Sequence, residues 1–574
     1  MSNFPQGRLT NYYQFSDTVT NSFGNHTLKF GADIRRNLFT NNAGFDTKGT
    51  FGFNNLTDFL NNVANTFTQA LNPANFDSVQ TQQFYFVQDD WRVRPSLTLN
   101  FGLRYETADI PFGFFGTNDA QQNAALVPRP VKSDKNNFAP VFGFAYSPRF
   151  EGDGLAAKLF GNGLTSIRGG FRTAYDVLFY NILTVNAGNF PITTVLTQNS
   201  IVDVFPNLAP PSSTPVFNPI ATFVNSPEDL KNPESYLYSL SVQREIARQL
   251  ILEVGYSGSR SINGINQLQA NESVLTPAQI QTVLTSRNSN SIPNAQARRV
   301  RPQVGSRILI ASTAQSTYNA GYVSLKKRFS NNFLFDVAYT FSKLISNNDE
   351  SLGVASITSG SPQVPQDFNN YAAEKSESAF SRPHRFVVNY LYEVPLPRFL
   401  RENAVSNFLL GGFQVSGITQ YQSGQPFTIL TGVDSNGNGA GGDRPNLNPN
   451  GVLILDPVTN NFRSFTSPLV GGRFEVPLGT NGLPLANSLG NGNLGKNTFR
   501  APSFMNTDLS VAKRFRLPWG GEQKHDFLIR ADFLNAFNQD FYGIPVNVMT
   551  SADFGRNLNN FGNRSITLSG KYSF

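Results

Sequence analysis

Residues Ser565–Phe574, SITLSGKYSF, close the chain and decide how the rest of it is read. Ile566, Leu568, Gly570, Tyr572 and Phe574 fall on alternate positions, and Ser565, Thr567, Ser569, Lys571 and Ser573 fall between them. A strand turns successive side chains to opposite faces, so this is a ribbon with one apolar and one polar side. It stops on an aromatic residue, the type that outer-membrane barrels place at the membrane–water interface. Chain termini of soluble proteins are usually poorly ordered instead. The stretch therefore predicts the closing strand of an outer-membrane β-barrel.

Composition points the same way. Charged residues make up 15% of the 574, well below the roughly 25% of ordinary soluble domains. Aromatics reach 13%, with 52 phenylalanines. A mean hydropathy of -0.27, with no run near the ~18 apolar residues of a spanning helix, excludes a helical membrane protein. Alternation hides a barrel's apolar surface in a mildly polar average. Cysteine is absent, which removes thiol redox chemistry and Cys-based metal sites. The net charge of +7 is spread along the chain without a basic block, so no nucleic-acid partner is expected.

The alternating pattern recurs in hairpins. Phe84–Val93 faces Ser96–Glu106 across Arg94-Pro95. In its second strand Leu97, Leu99, Phe101, Leu103 and Tyr105 oppose Ser96, Thr98, Asn100, Gly102, Arg104 and Glu106. An arginine facing mid-bilayer lipid costs about 2–4 kcal/mol, so the second set must look into a lumen. The phase of Phe84–Trp91 is ambiguous. Further hairpins are Tyr12–Asn21 with Thr27–Phe39, Phe138–Tyr146 with Ser166–Tyr175, and Tyr236–Glu245 with Leu250–Ser257. Then come Tyr318–Phe329 with Phe333–Phe341, His384–Val394 with Phe408–Tyr421, and Asp508–Phe515 with Phe527–Phe537. Trp91, Tyr105, Tyr175, Tyr256, Tyr339 and Tyr392 suit interfacial girdles.

Short turns lie near Gly24, Pro95, Ala247, Asn331 and Gly520, with longer ones near Gly154 and Arg401. Long segments alternate with them: Thr40–Thr81, Thr107–Asn137, Asp176–Glu234, Arg260–Ser316, Leu344–Pro383, Ser423–Phe499 and Asn538–Asn560. Barrels of this kind keep short turns in the periplasm and long loops outside. Thr276-Pro277-Ala278-Gln279 predicts a helix start with a capping box. The fold class is thus all-β: one large antiparallel transmembrane barrel domain over residues 1–574, with about 15–16 strands. An odd count puts Met1 outside and Phe574 in the periplasm, whereas a complete bacterial barrel has an even number. Met1–Thr10 also lacks the features of a signal peptide. The expectation is an N-terminally truncated barrel with an exposed edge at Leu9–Thr20.

The stretch FVQDDWRVRPSLTLNFGLRYE, Phe86–Glu106, resembles TonB-dependent receptor barrels. More narrowly the chain resembles the Oar-like group of these proteins. Supporting stretches include SIRGGFRTAYD at Ser166–Asp176, RPHRFVVNYLYEVP at Arg382–Pro395, QSGQPFTI at Gln422–Ile429 and DRPN at Asp443–Asn446. MNTDLSVAKRF at Met505–Phe515 and RADFLNAFN at Arg530–Asn538 belong to the same set. The resemblance implies a cell-outer-membrane transporter with a 22-stranded barrel, a plug, a TonB box and often a carboxypeptidase-regulatory-like domain. Implied partners are outer-membrane lipid, an extracellular substrate, the TonB complex through the missing N-terminal region, and the barrel assembly machinery. That machinery would read the aromatic terminus at Tyr572 and Phe574. A surface-adhesion barrel without active transport is the alternative, and a passive porin a third.

Asp434, Asn436 and Asn438, with Asp443 beyond, offer oxygens at the alternate spacing of a calcium loop. The twelfth position is Pro445, not a bidentate glutamate, so an Asn/Gly-rich turn reads the same residues. No other cofactor is expected. Arg104, Arg168, Arg172, Glu253, Asp336, Arg530 and Asp532 are the expected lumen charges, either steering a substrate or pairing across strands. The three histidines, His26, His384 and His525, carry no catalytic spacing, and no enzyme activity is expected.

Overall fold

In a computed structural model the chain forms one long antiparallel sheet with its packed cores gathered beyond one end. Residues 7–574 are described, apart from 44–48, 54, 71–73, 111–130, 153, 179, 181, 183–194, 203, 205–222, 277, 280–281, 283–293, 350–364, 433–435, 439–441, 448–452, 455–463, 466–473, 476–490, 518–524, 550 and 552.

Fifteen long strands follow chain order around the sheet: β1 (Gly7–Phe23), β2 (His26–Ala43), β3 (Ala74–Arg94), β4 (Leu97–Ala108), β5 (Asn137–Tyr146), β6 (Thr165–Tyr175), β7 (Glu234–Ala247) and β8 (Leu250–Gln269). They continue with β9 (Arg307–Ser330), β10 (Phe333–Ser346), β11 (His384–Glu393), β12 (Phe413–Gln422), β13 (Phe504–Arg516), β14 (Asp526–Leu534) and β15 (Ser565–Ser573). Each pairs antiparallel with its successor. Two short segments, Phe223–Asn225 and Ser376–Glu377, complete the 17-stranded sheet. Among the described residues β1 pairs only with β2 and β15 only with β14, so the sheet is open along those two edges. Fourteen reversals make the two edge strands run in the same direction.

The register settles the faces. Phe527, Ile529, Ala531 and Phe533 stand opposite Tyr572, Gly570, Leu568 and Ile566. This apolar face is bare: Leu568 is 75% exposed and Phe574 86%. Lipid, not a second protein layer, is what such a surface fits. In β3 the ambiguity resolves with Tyr85, Val87 and Trp91 on the apolar face and Phe84, Phe86, Gln88 and Asp90 on the other, because Trp91 and Val87 pair with Leu99 and Leu103.

Several strands outrun the ~10 residues needed to cross a bilayer. β9 has 24 residues and β8 has 20, so the predicted loop Arg260–Ser316 narrows to the segment after Gln269. β3 likewise begins at Ala74, ten residues before Phe84, and shortens the predicted loop Thr40–Thr81. Two boundaries retreat instead, by three residues or more. Phe408 lies in a helix, Ala404–Leu410, because Asn403 caps it and accepts from the amides of Val405 and Ser406. β14 stops at Leu534, where Asn535 takes a positive φ. The hairpin after Glu245 turns at Arg248-Gln249, and Asn331-Asn332 both adopt positive φ in a two-residue turn, the geometry that matches strand twist.

The large buried side chains lie away from the spanning part. One cluster joins Leu178, Ile182, Leu230, Ile265 and Ile310, and another joins Phe427, Ile429, Leu494, Met549 and Phe554. Both draw on the long connections, and the first also on the outer extensions of β8 and β9. A three-stranded sheet of Thr50–Gly52, Val63–Ala70 and Val195–Val202 lies in the same connections, which hairpin counting did not anticipate. At Thr276 and Gln279 the capping box forms: Gln279 N–H donates to Thr276 Oγ1 at 3.3 Å, and Thr276 N–H donates to Gln279 Oε1 at 3.0 Å. Among the described residues no helix is long and apolar enough to cross a membrane.

Candidate functional site

Two regions concentrate charged and polar groups: the polar face of the sheet, and a knot where three long loops meet beyond it. On the polar face alternation brings charges of opposite sign within reach. Arg104 pairs with Glu106 at 2.7 Å, Arg530 with Asp532 at 2.7 Å, and Lys326 with Asp336 at 3.6 Å. Lys29 meets Asp90 at 2.9 Å, and Arg35 meets Asp33 at 2.6 Å. Glu253 accepts from the Tyr322 hydroxyl at 2.9 Å. Tyr322 reaches it by lying flat over Gly255, its direct cross-strand neighbour. Arg168 donates to Ser166 Oγ at 3.1 Å. Arg172 stands between Val141 and Leu237 in register. All seven lumen charges expected from the sequence therefore share the face opposite the exposed aromatics.

The knot is built from stretches that alternation could not interpret. Arg444, of DRPN, is 4% exposed in its side chain, and its partner Glu374 is 3%. One guanidinium nitrogen, Nη1, meets both Glu374 oxygens at 2.8 and 3.0 Å, while Nε donates to the Leu494 carbonyl at 2.9 Å. The Arg444 N–H donates to Gln366 Oε1 at 2.8 Å, and Gln366 Nε2 donates to the Gly492 carbonyl at 3.1 Å. Beside it Lys496 lies 3.5 Å from Asp349, both almost fully buried, and Asn497 Nδ2 donates to Asp349 Oδ2 at 2.7 Å. A buried ion is tolerated only when paired and hydrogen-bonded, and these groups meet that condition together. Gly424 packs so closely under Ala501 that a Cβ would lie 1.7 Å from its carbonyl oxygen. Arg382 donates to the Ala379 and Ser381 carbonyls at 2.8 Å each and to Gln425 Oε1 at 3.1 Å. The nearby Tyr371 hydroxyl accepts from Asn266; burial, with the Glu374 charge behind it, pushes that phenol above its ordinary range.

The calcium-loop residues enter this knot. Asp434 lies outside the described residues. Asn436 N–H donates to Asp443 Oδ2 at 3.1 Å, and Asn438 N–H donates to Asn436 Oδ1 at 3.0 Å. The amide nitrogens of Asn436 and Asn438 both donate to the Gln366 carbonyl. Among the described residues no three His, Cys, Asp or Glu side chains gather as a metal group. His384 stands on the apolar face, bonded through Nδ1 to the Tyr339 hydroxyl at 2.8 Å and packed against Phe341. His26 bonds Asp89 at 2.7 Å and stacks on Trp91 at the short-turn end. His525 bonds the Tyr572 hydroxyl at 2.5 Å.

Sequence reasoning reached Arg444 and Arg382 only inside fragments of a resemblance, DRPN and RPHRFVVNYLYEVP. Neither stretch carries a sequence signal of burial, because a loop arginine is ordinarily exposed and becomes buried only where a partner meets it.

A family model described as an outer membrane beta barrel domain matches residues 1–567. No curated protein matches the chain. Among solved structures, the outer membrane transporter YddB from Escherichia coli superposes with a TM-score of 0.51 at 10% identity, over 98% of this chain and 54% of that one. The siderophore receptor PirA from Acinetobacter baumannii gives 0.46 at 10% identity, over 99% and 55%. The ferric enterobactin receptor PfeA from Pseudomonas aeruginosa gives 0.47 at 9% identity, over 98% and 54%. The chain spans about half the length of these structures, and the first likeness supports the fold.

Proposed function

We propose, for a chain that belongs to the outer membrane beta barrel domain family, that it forms most of the wall of a TonB-dependent uptake transporter of the Oar-like kind. The observation that carries this reading is the pair of open edges. β1 and β15 run in the same direction, so antiparallel closure takes an odd number of further strands. A 22-stranded transporter barrel would add seven, which satisfies that parity. An unpaired strand edge in hydrocarbon leaves several kcal/mol of unmet hydrogen bonding per exposed group. The charged polar face then lines the passage, and the knotted external loops meet the substrate first.

Plug and TonB box belong, on this reading, to polypeptide outside these residues, and the chain acts as conduit and not as an enzyme. The test is the upstream-extended gene, with site-specific crosslinking of the upstream segment to TonB in cells. A TonB crosslink together with tonB-dependent uptake supports the reading; an upstream region with no further strands, or a barrel that works without TonB, overturns it. The adhesion alternative draws on the ion-paired external knot, and TonB-independent cell or polysaccharide binding would favour it. A calcium ion on Asp434, Asn436, Asn438 and Asp443 is a separate local proposal. Saturable terbium luminescence lost in Asp443→Asn checks it.

A further inference from the structure

The two longest turns at the short-turn end carry helices whose apolar sides nothing in the described protein covers. The first is α1 (Leu155–Phe160), between β5 and β6. The second turn, between β11 and β12, holds α2 (Arg398–Arg401) and α3 (Ala404–Leu410). Leu155 and Leu159 sit four apart on α1; Val405, Phe408 and Leu409 sit three and four apart on α3. Each set falls on one helix face. All five are exposed, Leu155 at 75% and Val405 at 67%. Removing one such side chain from water gains about 1.5–3 kcal/mol, so leaving all five wet is costly.

Continuity with the lipid-facing band says what covers them. The Phe408 ring lies 5.3 Å from that of Phe515, which stands in register with Phe527 on the apolar face of the sheet. Lys513, on that same face, bends its Nζ to the Gly411 carbonyl at 2.7 Å, passing over the rings of Phe413 and Phe515. That is a lysine at a membrane boundary, its stem in the apolar zone and its charge turned to the polar end. On the other side Arg244 Nη2 donates to the Lys158 carbonyl at 2.8 Å and ties α1 to the end of β7. Lys158 and Arg398 stand beside the apolar faces, exposed where lipid phosphates would lie. Short amphipathic helices with this arrangement settle about 5–10 Å into the headgroup–acyl boundary.

We infer that α1 and α3 are interfacial anchors that lie in the phospholipid leaflet on the short-turn side, with Leu155, Leu159, Val405, Phe408 and Leu409 among the upper acyl carbons. They fix the depth of the sheet in the membrane from two separate turns. The absence of cysteine makes single-site spin labelling clean. Nitroxides are placed at Leu159→Cys, Val405→Cys and Phe408→Cys, with Glu151→Cys and Glu402→Cys at exposed acidic positions of the same two turns, in outer membranes from cells expressing the full chain. Collision rates with oxygen and with a nickel chelate are then compared. The inference predicts an oxygen-to-nickel ratio several-fold higher at 159, 405 and 408 than at 151 and 402. Equal ratios would place the helices in water, and low rates for both reagents at 159, 405 and 408 would mean a protein covers them. Either outcome overturns it. These positions are exposed, so substitution spares the core, and agreement between the two turns guards against misfolding of one variant.

Discussion

Removing the carboxylate of Glu374 is expected to open the external knot while leaving the sheet intact. In Glu374→Ala the Arg444 guanidinium keeps the Leu494 carbonyl but loses both carboxylate oxygens, in a site where its side chain is 4% exposed. Breaking one half of a buried ion pair costs about 3–5 kcal/mol, because the other charge stays uncompensated. By the tenfold-per-1.4 kcal/mol rule this speeds local opening by roughly a hundred- to several-thousand-fold. Gln366 N–H also loses its acceptor, Glu374 Oε1 at 3.2 Å. Hydrogen exchange followed by mass spectrometry reads the effect at amides that close the knot. Among them are Thr431 N–H to the Asp443 carbonyl at 2.8 Å and Leu494 N–H to that of Pro445 at 3.1 Å. Amides of β13 and β14 serve as the internal standard. Glu374→Leu combined with Arg444→Met removes both charges and should restore much of the protection. Unchanged exchange in the single variant, or a double variant worse than the single, would refute the argument that the ion pair holds the loops.

Gly255→Val should weaken β8–β9 pairing by about 1–3 kcal/mol, since its Cβ would lie 2.3 Å from the Tyr322 ring. Gly321→Ala in the same strand pair meets nothing within 4 Å and should be near neutral; the temperature at which the folded band is lost on gels compares them. The knot should also loosen above about pH 10. Tyr371 holds its proton beyond the ordinary value of 10.0 when folded but not when unfolded, so stability is intact below that pH and falls above it; a protease-sensitivity profile from pH 8 to 11 checks the direction. Leu568→Arg puts a charge on the lipid face and should cost about 2–4 kcal/mol if the site is near mid-bilayer, lowering the amount assembled in outer membranes, whereas Ser569→Arg on the polar face should not.

The strands were legible because alternation needs only local sequence and a two-sided environment. Leu97 through Glu106 declares both faces in ten residues, and all seven hairpins and the last strand form, although one strand starts at Phe413 rather than Phe408 and another ends at Leu534 rather than Phe537. β3 was ambiguous because Phe84 and Phe86 lie on the polar face. There a ring can lie flat over a glycine opposite, as Phe86 does over Gly31. The helix at Ala404–Leu410 was misread because Phe408, Leu409 and Leu410 continue the apolar run of the following strand; Asn403 was the overlooked start signal. The knot was invisible for a different reason. Glu374 and Arg444 are 70 residues apart, and no periodic signal links a buried arginine to its carboxylate across two loops.

β14 and its neighbours stand in the membrane with one face to lipid and the other to water. Single cysteines at positions 527 to 532, in this otherwise cysteine-free chain, test it most directly by reaction with a membrane-impermeant maleimide in isolated outer membranes. Labelling should alternate: rapid at 528, 530 and 532, and protected at 527, 529 and 531. Labelling that is uniform along the strand, or that alternates in the opposite phase, would contradict it.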